Sequence, residues 1–168
     1  VCSSDLMEPY NIYEKKGTRS IEYDPKEFSL SFTTTGNIKP TTVIKNMCDV
    51  LTNKLNAAKS KLTEYIKHVS EHPKIYYFAE NIEVSVRDDM TIYKFIGEYI
   101  TFAYMVAQRC FVLDPNIKFC TPAIERYDNE IAIIKLKHPD SNGLLLKAID
   151  ECINDVDRLY MELTSKKK

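Results

Sequence analysis

Ile44, Cys48, Leu51, Leu55, Ala58, Leu62, Tyr65 and Val69 follow one another at alternating spacings of four and three. That spacing, held over more than three heptads, predicts one long helix over residues 41–72 whose apolar seam has to lie against a facing helix. Lys45, Asn46, Asn53, Lys54, Lys59, Lys61, Glu64 and Lys67 mostly fill the other faces. Pro40 stands where a first-turn proline is harmless, and Pro73 ends the ladder because it has no N–H to continue it. Each seam side chain that becomes fully buried contributes about 1.5–3 kcal/mol of gross transfer energy. The helix is a docking element, and what it docks against decides the fold.

A chain of 168 residues can hold one or two small domains with a real core. Its net charge of −1 supplies no general attraction to nucleic acid or to an anionic membrane. No apolar run reaches the ~18 residues of a spanning helix, and no secretory signal stands at the start. The first residue is Val1, so a fragment or trimmed product is expected. Cys2, Cys48, Cys110, Cys120 and Cys152 form no CxxC pair and no disulfide framework, which points to reduced thiols in an intracellular protein.

Residues 1–26 are mixed, with a loose strand expected over 19–23. Phe28, Leu30 and Phe32 alternate with Ser29, Ser31 and Thr33, the pattern of a half-buried strand over 27–33. Residues 75–78 form a short apolar run, either a strand or a linker. Ile82, Val84 and Val86 alternate with Glu83, Ser85 and Arg87 as a clearer strand. Asp88, Asp89 or Thr91 is then expected to cap a helix over residues 92–109, apolar on several faces through Phe95, Ile96, Tyr99, Ile100, Phe102, Tyr104 and Val106. Asp114-Pro115-Asn116 ends it. Strands are expected at 118–126 and 130–137, joined by a turn at Tyr127-Asp128-Asn129. After a polar loop, a last helix over 144–164 carries the seam Leu145, Ile149, Cys152, Val156, Leu159 and Leu163.

The chain also echoes itself. Strand, polar turn and seamed helix occur twice, at 27–72 and 130–164. Setting Ile44 on Leu145 brings Cys48 onto Ile149, Asp49 onto Asp150, Leu51 onto Cys152 and Asn53 onto Asn154. Two such units can bury their stripes against each other across a pseudo-twofold axis.

Tyr23-Asp24-Pro25-Lys26-Glu27-Phe28 and Thr34-Thr35-Gly36-Asn37-Ile38-Lys39-Pro40 resemble the D-P-x-x-F strand and T-G-x-x-x-P turn of the archaeal D subunit of RNA polymerase, the third-largest subunit in eukaryotes. Asp114-Pro115-Asn116-Ile117-Lys118-Phe119 resembles the D-P-N-V-x-F segment of the small L subunit, the eleventh-subunit type, and residues 82–113, 130–136 and 144–163 follow that subunit's order of elements. The family's D-H-T-L-G-N-L helix start stands here as Asp89-Met90-Thr91-Ile92-Tyr93-Lys94-Phe95, without the His, Gly and Asn. D-like followed by L-like in one chain is similar to the fused assembly subunit of certain large cytoplasmic DNA viruses.

The resemblance implies an α+β fold of antiparallel strands and long packed helices, the D/L dimerisation fold that bacterial alpha shares in its N-terminal domain. Residues 1–73 would be the C-terminal part of a D-like half and 74–168 an L-like half. It further implies a non-catalytic platform that holds the two largest polymerase subunits and small zinc-containing subunits, meeting DNA only through the complex and no membrane. It would work inside the cell, in viral factories or the virion if viral and otherwise in the nucleus. The packing residues expected to carry this are Ile44, Cys48, Leu51, Leu55, Leu62, Phe95, Tyr99, Leu145, Ile149, Cys152, Val156 and Leu159.

The residues offer little to rival chemistry. Asp88-Asp89 reads as a helix cap rather than an acid–base pair, and His68 with His72 lacks a third metal ligand. No nucleophile elbow and no glycine-rich phosphate loop is present, so no catalytic, cofactor or metal residue is assigned. A self-associating coiled-coil scaffold unrelated to transcription is the competing class, and it predicts a homo-oligomer. Leu51→Asp should abolish soluble assembly by forcing a charge into the seam, and normal complex formation by that variant would refute the seam.

Overall fold

The computed structural model describes residues 38–71, 76–125 and 128–165. The chain divides into two units, Val1–Pro40 and Thr41–Lys168. The strands expected over 19–23 and 27–33 lie outside the described residues, as do Cys2 and Pro73. The second unit is α+β. Its elements are α1 (Pro40–Glu71), β1 (Tyr76–Ala79), β2 (Ile82–Arg87), β3 (Met90–Ile96), α2 (Ile100–Leu113), β4 (Phe119–Glu125), β5 (Asp128–Lys137) and α3 (Ser141–Ser165). The strands form one antiparallel sheet in the order β1-β2-β3-β5-β4.

Residues 88–96 correct the sequence reading. The helix expected over 92–109 is a strand followed by a shorter helix. Asp88 and Asp89 do not cap it; their φ angles of 49° and 61° make the two-residue turn that joins β2 to β3. Two positive φ values in succession match the right-handed twist of a hairpin, and aspartate tolerates them better than most residues. From Met90 onward Tyr93 and Phe95 are buried while Ile92, Lys94 and Ile96 are only partly covered, a period of two. Gly97, at φ +84°, takes the chain out of the strand.

The register builds one apolar face. Tyr93 stands between Val84 and Ile134, and Phe95 between Ile82 and Ala132; all six are buried. Leu136 stands beside Cys120 on the same face. Phe102 of α2 meets Phe95 edge-on, with ring centroids 5.1 Å apart, which docks the helix on β3. The opposite face is mixed. Lys94 Nζ lies 3.2 Å from Glu125 and 3.5 Å from Glu83, and although burial alone would lower its pKa, these carboxylates raise it. Pro122 lies in the edge strand β4, where a missing donor costs least.

The last helix begins three residues earlier than expected. Asp140 caps it, with Oδ1 accepting from the Gly143 amide at 2.9 Å. Of the expected turn at Tyr127-Asp128-Asn129, Asp128 and Asn129 already belong to β5, and Tyr127 lies outside the described residues. The Asp88→Asn, Asp89→Gly double variant, which installs the pair this turn favours, should raise the urea midpoint at unchanged slope. A lowered midpoint would contradict the hairpin and favour a capped helix at this position.

Candidate assembly surface

The seam of α1 finds its facing helix within the chain. Cys48, Asp49, Thr52 and Asn53 of α1 line a groove of about 300 Å³ with Asp157 and Tyr160 of α3. Lys59 Nζ lies 2.7 Å from Asp150 Oδ1, and further along the Tyr65 hydroxyl reaches Asn142. As α1 advances from 48 to 65 its partners on α3 fall from 160 to 142. The two helices therefore run antiparallel.

Cys48, Leu55, Ala58, Leu62 and Tyr65 are buried, and Ile44, Leu51 and Val69 are partly buried against the same core. On α3, Leu145, Ile149, Cys152 and Val156 are buried as expected. Helix α1 and the elements from β1 onward share this single core. Phe95 is buried too, but from strand β3 rather than from a helix.

Three residues expected to be covered, Tyr99 and the seam residues Leu159 and Leu163, are exposed. Leu159 keeps 50% of its surface in water, and Leu163 is also open. A strict four-three seam drifts by about 20° per heptad on a straight helix, so after Val156 the covered line passes through Tyr160 instead. Tyr99 is likewise 50% exposed, because it precedes α2 as its N-cap instead of lying inside a buried helix. Its hydroxyl donates to Glu130 Oε1 at 2.9 Å, and Lys54 Nζ sits 5.8 Å from its ring centroid.

Polar contacts fix the helices in place, and several involve residues the sequence pattern did not single out. Lys54 Nζ donates to Glu98 Oε2 at 2.8 Å, pinning α1 to the end of β3. Arg109 of α2 pairs with Asp155 of α3, which also accepts from Arg158 at 2.8 Å. The Tyr93 hydroxyl donates to Asn142 Oδ1 at 2.6 Å. Tyr77 of β1 meets the rings of Tyr65 and His68, each at 5.1 Å between centroids. Apart from Asp155–Arg158, three residues apart on α3, spacing alone could not reveal these pairs, since they join different elements.

The Asp114-Pro115-Asn116 segment is a knot of hydrogen bonds. Asp114 Oδ1 accepts from the Asn116 amide at 2.9 Å, and Oδ2 lies 3.0 Å from His138 Nε2. His138 Nδ1 accepts from the Asp140 amide at 3.0 Å, so Nε2 carries the proton it gives to Asp114. The Asn116 amide, with help from His138, holds the Asp114 carboxyl below the usual carboxylate range. This ties the exit of α2 to the entrance of α3.

Cys48, Cys110, Cys120 and Cys152 are free thiols in the core. Cys152 Sγ donates to the Met105 carbonyl at 3.8 Å, and Cys120 Sγ to that of Ala107 at 3.9 Å. A hydrogen bond to Cys120 together with burial pushes the Cys110 thiol up, which keeps it protonated. Among the described residues no group of three or more His, Cys, Asp or Glu side chains could hold a metal. No protein-family model matches the sequence, and no curated protein matches it.

Leu62 lies fully buried in the core to which α1 contributes. Leu62→Ala should cost about 2–5 kcal/mol in urea unfolding, and a loss below about 1 kcal/mol would mean that α1 is not docked. Because its pKa is depressed by folding, Asp114 supplies stability above its unfolded pKa and loses it as the pH falls through the lowered folded value. Asp114→Asn should therefore flatten the acid limb of urea midpoint against pH, and an unchanged limb would contradict the hydrogen bonds from Asn116 and His138 that hold the carboxylate.

Proposed function

We propose that this chain is a fused D/L-type assembly subunit of a multisubunit DNA-directed RNA polymerase, with the D/L dimerisation fold. It makes and breaks no bonds. Its work is to join a D-like and an L-like half into a platform for the two largest, catalytic subunits and for small zinc-containing subunits. It meets DNA only through them. The setting is intracellular, a viral factory or virion if the source is viral and the nucleus otherwise.

The observation that carries this reading is the antiparallel α1–α3 pair combined with the internal echo. The echo relates the two helices by the offset that carries Ile44 to Leu145. The same offset takes Lys59 to Tyr160 and Asp49 to Asp150. Lys59 pairs with Asp150, and Asp49 and Tyr160 line one groove, so an ion pair and a groove wall stand at positions that the echo exchanges. A D-like and an L-like helix meeting as pseudo-equivalent partners would give this geometry.

The order β3, α2, β4, β5, α3 also follows the strand, helix, hairpin and helix of the L-type subunit. The D-H-T-L-G-N-L match at residues 89–95 starts no helix here, because Asp89 lies in the β2–β3 turn and Met90–Ile96 is strand β3. The rival scaffold reading needs a free stripe on α1, and that stripe is already covered inside the chain.

Affinity purification of the full chain from its native source, followed by mass spectrometry, should recover two very large subunits with polymerase activity. Recovery of the chain alone, as a homo-oligomer, would overturn the proposal.

A further inference from the structure

We draw no further inference here: the strongest candidate, the exposed apolar surface patch of Met47, Val50, Leu159 and Leu163 at the paired ends of α1 and α3, carries none because nothing in the structure shows what covers it.

Discussion

The fold depends on the burial of one long apolar stripe. Helix α1 is 32 residues long and its mean hydropathy is close to neutral, so propensity alone would not hold it rigid in water. Leu55, Leu62 and Tyr65 give it a core to lie in, and that core is shared with α3 and with the sheet's inner face. Without α1, Leu55, Leu62 and Tyr65 would be lost from that core. One helix thus completes the interior that the other elements begin.

Charged contacts play a different part. Lys59–Asp150 and Lys54–Glu98 are partly solvated, and pairs of that kind contribute at most about 1 kcal/mol each. Their value is positional, since a helix pair held only by apolar contact could slide by a turn at small cost. The buried Tyr93 hydroxyl bonded to Asn142, and the Asp114–His138–Asp140 chain, fix the entrance of α3 in the same way. Small residues set the spacing elsewhere: Ala103, Ala107, Cys110, Ala148 and Cys152 are all buried on α2 and α3.

Much of this was legible in the sequence because the two long helices announce themselves by period. The stripe of α1 is buried at Cys48, Leu55, Ala58, Leu62 and Tyr65 and partly covered at Ile44, Leu51 and Val69, and strands β2, β4 and β5 fall close to where they are expected. The segment from Asp88 to Arg109 was not legible as read. Met90–Ile96 is rich in apolar residues at both strand and helix spacing, and period alone does not separate the two over seven residues. The decisive signal was the adjacent pair Asp88-Asp89, which suits a positive-φ turn as well as a cap. Tyr99 was misplaced as a consequence, and Leu159 because a straight helix was treated as a supercoiled one. The polar ties were invisible, since nothing local in the chain links Asp114 to His138 or Tyr93 to Asn142. The candidate assembly surface was therefore readable in its apolar part and hidden in its register.

The most direct test of an internal antiparallel pair is a distance between spin labels at Asn53 and Asn154, set against a second pair at Lys67 and Glu162. Pulsed electron paramagnetic resonance on the frozen protein should give a short, narrow distance for the first pair and a long one for the second. Both should persist when the labelled chain is diluted into unlabelled chain. Loss of the short distance on dilution, or a reversal of the two, would show that the stripe of α1 is met by another molecule or in another direction.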